Sequence, residues 1–267
     1  MSGTTTGEKV TFTLNGRQVT AEPGETVLSV ARRLDVHIPT LCFHESVSSY
    51  GACRLCLVEV FWGKRSKLVT SCLYIPYPDD RIETDNARIH GVRKLVLELL
   101  LARSPHVEAI RELAREYCVE VPRFRPSAVT ADATRCVLCD LCVRVCAEVV
   151  GQSAIGYAGR GSERVITVPF GEQAEECIGC GACVFICPTQ ALSYEDIAGQ
   201  RLMKELNTSV PLVACRVCGE HFATEKQLAK LRERITMPDE LVDVCPRCRG
   251  TEFTRVLDEA LVTKPRV

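Results

Sequence analysis

Between Cys136 and Pro188 one cysteine pattern is written twice: Cys136-Val-Leu-Cys139-Asp-Leu-Cys142-Val-Arg-Val-Cys146, then Cys177-Ile-Gly-Cys180-Gly-Ala-Cys183-Val-Phe-Ile-Cys187-Pro188. Each run reads C-x2-C-x2-C-x3-C. Three cysteines at that spacing converge when the chain between them turns tightly, and four converging thiolates are what a cubane iron–sulfur cluster requires. Structural zinc and free core thiols are the competing readings. Two copies in one register favour two cubane, 4Fe-4S, sites over either.

The chain carries 17 cysteines in 267 residues, which leaves a disulfide scaffold or a metal-loaded protein. The N-terminal stretch from Met1 to Lys9 has neither the apolar run nor the cleavage pattern of a secretory leader. The expectation is a cytoplasmic protein whose thiols serve as metal ligands in a reducing compartment. The longest apolar run, Leu95 to Ala102, is interrupted by Glu98 and is too short to span a bilayer, so no membrane segment is expected. With 33 basic and 34 acidic residues the net charge is −1, and no overall field favours nucleic acid. The length exceeds that of a usual single domain, so about two to four small units are expected.

Towards the N-terminus, Val10-Thr-Phe-Thr-Leu14 and Gln18-Val-Thr-Ala21 flank Asn15-Gly16, a strong hairpin signal because both turn residues tolerate positive φ. Val27 to Leu34 then shows apolar residues at helical spacing. Cys42, Cys53, Cys56 and Cys72 follow as C-x10-C-x2-C-x15-C, with the small residues of Ser48-Ser-Tyr-Gly51-Ala52 ahead of the central pair. Four thiolates suit a two-iron, 2Fe-2S, cluster, although the first gap is longer than the plant-type spacing. Zinc is the alternative. The order hairpin, helix, loop is that of a β-grasp ferredoxin, which favours the two-iron cluster.

Asp85-Asn86 is placed to cap a helix through Val92, Leu95, Val96, Leu99 and Leu100, stopped at Ser104-Pro105. A second helical stretch runs from Val107 to Tyr117. Cys118 is read as a buried thiol and His106 as a turn residue; Pro122 and Pro126 mark a linker. Between the repeated motifs, Gly159-x-Gly161 fails as a dinucleotide fingerprint because Arg164 stands where the third glycine belongs, and a hairpin turn is expected instead. No catalytic residues are assigned. Near the C-terminus, Cys215-Arg-Val-Cys218 and Cys245-Pro-Arg-Cys248 are separated by 26 residues that include a helix-friendly stretch from Thr224 to Arg234. Two such knuckles specify one tetrahedral metal, read as zinc with a structural or docking role; a rubredoxin-like iron is the main rival. Arg216, Lys230, Arg247 and Arg249 are read as scattered surface charges, not as a nucleic-acid face.

The repeated run resembles that of two-cluster ferredoxins, in which the fourth cysteine of each run ligates the other cluster. That resemblance assigns Cys136, Cys139, Cys142 and Cys187 to one cubane and Cys177, Cys180, Cys183 and Cys146 to the other. Over roughly residues 8 to 195, the whole layout resembles the N-terminal half of the large iron–sulfur subunit of complex I. It is equally similar to the small iron–sulfur (diaphorase) subunit of NAD-linked hydrogenases, formate dehydrogenases and flavin-bifurcating complexes. The resemblance implies a non-catalytic electron wire in a hetero-oligomer, between a flavoprotein subunit binding FMN and NAD(P)H and a further redox subunit. Such subunits usually carry an H-x3-C-x2-C-x5-C motif in the link; here Ile110 and Leu113 stand at its first two cysteine positions and Cys118 falls one place short of the third. That cluster is expected to be absent. The expected architecture is a multidomain α+β chain: a β-grasp 2Fe-2S domain (1–82), a helical link (83–127), a 2[4Fe-4S] ferredoxin domain (128–196) and a zinc ribbon (197–267). A free-standing ferredoxin-like carrier is the alternative.

Overall fold

Asn15 and Gly16 take φ of 49° and 78°, and the two-residue turn they form sets the register of the first hairpin, Val10–Leu14 (β1) against Arg17–Ala21 (β2). The computed structural model describes residues 7–120, 122–124, 135–235 and 239–251. These fall into two compact units, bounded as Met1–Val149 with Ile186–Ala191, and Val150–Phe185 with Leu192–Val267.

In the first unit, Leu57–Trp62 (β3), Arg65–Thr70 (β4) and Arg81–Glu83 (β5) extend the hairpin into a five-stranded sheet of order β2-β1-β5-β3-β4. β5 runs parallel to β1, and β3 is antiparallel to both its neighbours. Val27–Arg33 (α1) starts where the Thr26 hydroxyl accepts the Ser29 N–H, an N-cap that removes one orphan donor. Its inward face, Val27, Leu28, Val30 and Ala31, is buried against Phe12, Leu14, Val58, Val60 and Ile82. Each of these side chains larger than alanine contributes about 1.5–3 kcal/mol on burial. A sheet with one helix packed on it is the expected β-grasp arrangement.

Ala87–Arg103 (α2) is capped by Asn86, whose side chain accepts the Ile89 N–H at 3.0 Å, and it ends at Ser104 before Pro105. Glu108–Glu116 (α3) packs against it. Between them Arg93 is buried: Nε donates to the Leu55 carbonyl at 3.0 Å, Nη2 to those of Leu57 and Thr84 at 2.8 and 3.1 Å, and Nη1 to the Tyr117 hydroxyl at 3.0 Å. The helical pair is thereby tied to the backbone beside Cys53 and Cys56. Cys118 departs from expectation: it is exposed, because the chain leaves α3 with positive φ (53°) and turns the thiol outward. Pro126 and most of the expected linker lie outside the described residues. Leu141–Arg144 (α4) and a π turn, Val145–Val150, that holds Cys146 follow, and the first continuous stretch of this unit ends within that turn, at Val149.

In the second unit, Gly156–Ala158 (β6) and Val165–Thr167 (β7) pair antiparallel, so the Gly159–Arg164 segment is the hairpin connection anticipated from its sequence. A Cβ at Gly159 would sit 2.6 Å from the Glu163 carbonyl oxygen. After Ala182–Phe185 (α5), Tyr194–Ile197 (β8), Gln200–Met203 (β9), Thr208–Ala214 (β10) and His221–Thr224 (β11) form an antiparallel sheet of order β11-β10-β9-β8. Glu225–Arg234 (α6) opens on a reciprocal capping box between Thr224 and Gln227, and Asp239–Val242 (α7) follows. Among the described residues no helix is long and apolar enough to cross a membrane.

Candidate metal centres

The four N-terminal cysteines meet as two pairs: Cys42 Sγ lies 3.4 Å from Cys53 Sγ, and Cys56 Sγ 3.4 Å from Cys72 Sγ. Within each pair the shared hydrogen bond leaves the proton on one sulfur. Cys42 and Cys72 are pushed up, while Cys53 is drawn down to about 6 and Cys56 to about 7. Gly51 takes φ of 71° beside the central pair, and a Cβ there would come within 2.7 Å of Leu73 Cδ1. The loop therefore needs glycine both for its turn and for space. Two pairs of thiols, all buried, fit a centre of two metal atoms with two thiolates to each.

In the first repeated run, Leu138 and Asp140 are both left-handed, with φ of 54° and 71°. This winds the chain so that the Leu138 N–H points at Cys136 Sγ, 3.5 Å away. Cys187 belongs to this same unit, apart from the rest of its own run; its sulfur accepts the Ala191 N–H at 3.2 Å. Burial pushes the Cys139 thiol up to about 11, and the neighbouring sulfurs of Cys187 and Cys136 add to the effect. Burial also raises the Cys136 thiol, with a smaller push from the Cys187 sulfur. Bare thiolates crowded in this way repel, and bound cations relieve the cost, so the donor set fits a metal cluster. Arginines satisfy the loop carbonyls: Arg103 Nε donates to that of Cys136 at 2.9 Å, and Arg144 Nη2 to that of Cys139 at 3.4 Å.

The second run repeats this backbone. Gly179 and Gly181 are left-handed, with φ of 64° and 75°, and the Gly179 N–H reaches Cys177 Sγ at 3.4 Å. Burial raises the Cys177 thiol. Arg201 Nη1 donates to the Gly179 carbonyl at 3.0 Å. Its guanidinium is fixed by a bidentate pair with Asp196, both bonds 2.8 Å, and lies 4.3 Å from the Tyr194 ring centroid. The Thr224 hydroxyl, at the start of α6, donates to the Ile178 carbonyl.

The C-terminal cysteines differ from both. The sulfurs of Cys215, Cys218, Cys245 and Cys248 all lie within 4.8 Å of one another, and Cys218 is 3.9 Å from Cys245. A tetrahedral zinc with bonds of about 2.3 Å has sulfur–sulfur edges of about 3.8 Å, so this set fits one ion. Burial opposes ionisation of Cys215, but N–H donors from Cys245, Cys218 and Val217 overcome it and bring the thiol down to about 6. Cys215, Val244 and Cys245 form a small buried core with Phe222 against it. Arg247 bonds Glu220 at 2.8 Å and stands 4.0 Å from Cys218 Sγ.

Cysteine spacing identifies the sulfurs but not the groups that hold their loops. Arg144, in the spacer of the first cysteine run, and Arg201, outside any motif, carry no sequence signal for the carbonyls they bond. The left-handed bends at Leu138 and Asp140 carry no glycine to announce them.

Two stretches of the chain match known domain types. Residues 7–87 match the model of the 2Fe-2S iron-sulfur cluster binding domain, and residues 173–193 that of the 4Fe-4S binding domain. At the level of whole chains, the protein is 30% identical over 205 residues to an NADH-quinone oxidoreductase subunit of Rhizobium meliloti (strain 1021), covering 68% of this chain and 24% of that one. It is 30% identical over 204 residues to the NADPH-Fe(3+) oxidoreductase subunit alpha of Geobacter sulfurreducens (strain DL-1 / KN400), with 68% and 24% covered. With the NADP-reducing hydrogenase subunit HndD of Solidesulfovibrio fructosivorans it shares 31% over 212 residues, 68% of this chain and 36% of that one. It thus spans between about a quarter and about a third of the length of these relatives. A crystal structure of NAD+-reducing [NiFe]-hydrogenase in the H2-reduced state superposes with a TM-score of 0.54 at 28% identity, covering 60% of this chain and 75% of that one. The resemblance read from the cysteine runs, to subunits of NAD(P)-linked oxidoreductases, is borne out.

Proposed function

We propose that this chain is an iron–sulfur electron-transfer subunit of a NAD(P)-linked oxidoreductase complex in the cytoplasm. It relays single electrons between a flavoprotein subunit that binds FMN and NAD(P)H and a further redox subunit. The carrying observation is the set of cysteines in residues 7–87: two close thiol pairs within the stretch that matches a 2Fe-2S domain. In this reading Cys42, Cys53, Cys56 and Cys72 hold a 2Fe-2S cluster. Cys136, Cys139, Cys142 and Cys187 hold one 4Fe-4S cluster, a set supported by the nearness of Cys187 to Cys136 and Cys139. Cys177, Cys180, Cys183 and Cys146 hold a second, on the register of the repeated motif, in which Cys146 is the counterpart of Cys187. Cys215, Cys218, Cys245 and Cys248 hold one zinc in a C-terminal ribbon (197–267). The domain limits 1–82, 83–127 and 128–196 are proposed with it.

Iron–sulfur clusters accept and release one electron at a time, so the two electrons of a hydride must be separated by a flavin elsewhere. What this chain supplies is position and environment. Its ligand loops carry backbone N–H groups aimed at sulfur and arginines on their carbonyls, and burial of the sulfurs limits water; these are the levers by which a protein tunes such sites. The test is anaerobic purification with subunit identification and metal analysis. We expect a co-purifying flavoprotein, about ten irons per chain from one two-iron and two cubane centres, and about one zinc. The chain alone should not oxidise NAD(P)H with a viologen acceptor; if it does so without a flavoprotein, the reading is wrong.

A further inference from the structure

Arg144 lies in the three-residue spacer between Cys142 and Cys146, yet its partners come from two ligand loops at once. Its side chain is buried, 8% exposed. Nη2 donates to the Cys42 carbonyl at 2.9 Å and to the Cys139 carbonyl at 3.4 Å, and Nη1 donates to the Ser48 carbonyl. Nε stands 3.3 Å from Asp140 Oδ2, and the guanidinium is 5.6 Å from the Tyr50 ring centroid. One turn further on, Glu148 accepts both the Ser48 N–H and the Ser48 hydroxyl at 2.6 Å. Ser48 is thus gripped at its carbonyl by Arg144 and at its N–H by Glu148, just ahead of Gly51 and Cys53.

A guanidinium stays charged at every accessible pH, and its planar fork suits several carbonyls at fixed angles. Buried charge acts over longer distances than exposed charge, because little water screens it. A cation bonded to the backbone of one ligand in each of two sites therefore stabilises added negative charge on either. Asp140 partly offsets it from the cubane side, and Glu148 faces it across Ser48.

We propose that Arg144 is a positioning residue shared by the two-iron site and the first cubane site: one guanidinium fixes the Cys42–Ser48 loop against the Cys139 loop and raises both reduction potentials together. The proposal rests on the ligand sets given under Proposed function.

The experiment is an EPR-monitored redox titration of the full chain, purified anaerobically with its clusters, as wild type, Arg144→Gln, Arg144→Lys and Asp140→Asn. Arg144→Gln should shift both midpoints to lower potential. Arg144→Lys, which keeps the charge and loses the fork, should return both towards wild type. Asp140→Asn removes the offsetting carboxylate while tolerating the left-handed backbone, and should shift both midpoints upward. A purely structural role predicts that Gln and Lys variants behave alike, with altered cluster content and unmoved potentials. Arg144→Gln with both clusters present and either midpoint unchanged would overturn the proposal. Should that variant fail to hold its clusters, Asp140→Asn decides: an unmoved two-iron midpoint refutes the shared role. Wild-type protein lacking either signal would refute the ligand assignment beneath it.

Discussion

In the loop from Cys136 to Cys142 the two left-handed residues are Leu138 and Asp140; in the loop from Cys177 to Cys183 they are Gly179 and Gly181. The bends fall at equivalent positions and bring the equivalent N–H to the first sulfur. A left-handed residue with a side chain costs about 1–2 kcal/mol, which glycine avoids. The difference follows from what lies beside each loop. A Cβ at Gly179 would stand 2.9 Å from Thr224 Cγ2 and 3.3 Å from Val210 Cβ, and one at Gly181 would stand 3.1 Å from Tyr194 Cε1. The second loop lies directly on β8, β10 and the head of α6, with no room for a side chain at Gly179 and little at Gly181. The first loop has room, and at Asp140 it uses the room: the carboxylate is buried and paired with Arg144. Glycine in such a loop reports packing as well as φ, and Asp140, in a glycine's place, takes up a task in holding Arg144.

An exchange between the loops should separate the two causes. Gly179→Leu meets the crowding and the backbone strain together, so we expect a loss of about 3 kcal/mol or more, with the second cubane site no longer loading. Leu138→Gly relieves strain and loosens the unfolded chain, and should leave stability within about 1 kcal/mol of wild type with the first site intact. Iron per chain, cluster spectra and thermal unfolding measure both. A cost of only about 1–2 kcal/mol at Gly179→Leu, mirrored by a gain of similar size at Leu138→Gly, would show that φ alone distinguishes the loops.

Gly181→Ala is a milder version of the same comparison. Its new Cβ meets the edge of the Tyr194 ring, which can shift, so the cost should be that of the left-handed alanine, about 1–3 kcal/mol. Tyr194→Ala in the same chain should not recover that cost, because strain and not contact causes it. Recovery, measured as the unfolding midpoint of the double variant against the singles, would make the ring the cause.

The parts of the fold legible in sequence are those whose chemistry is local. Asn15-Gly16 determines a hairpin by its φ preferences, and Thr26, Asn86 and Thr224 with Gln227 mark helix starts by satisfying orphan N–H groups. The parallel pairing of β5 with β1 is not local: Thr13 meets Arg81, and only the burial of Ile82 among Phe12, Leu14 and Val60 selects it. Within the metal centres, cysteine spacing shows where sulfurs cluster. It cannot show that Cys42 pairs with Cys53, since that depends on the path of the loop between them, which turns through positive φ at Gly51. Nor can it show the arginines, because the carbonyls they serve belong to residues of any type. The exposure of Cys118 is hidden for a related reason: it follows from a left-handed exit from α3 at a residue with no glycine to mark it.

The smallest expected effect concerns how the second loop is held from behind. Arg201 reaches the Gly179 carbonyl, and Asp196 fixes Arg201 by two bonds of 2.8 Å. The hydrogen bonds from Arg201 hold the Asp196 carboxyl below its usual value of 3.8, against a smaller opposing effect of burial. A depressed folded-state value means that the contribution is complete above the unfolded value and is lost only as pH falls through the folded one. From about pH 6 to 8, well above both values, the pair should therefore contribute a constant amount. Its side chains are 10% and 36% exposed, so solvent screens it and Asp196→Asn should cost under about 1 kcal/mol. We expect denaturant unfolding of the metal-loaded chain to show a gap between variant and wild type that is flat across that range and narrows with added salt. A gap that changed across the same range would mean that a group other than this carboxylate sets the position of Arg201, and the second loop would then resemble the first, where the arginine is held mainly by backbone.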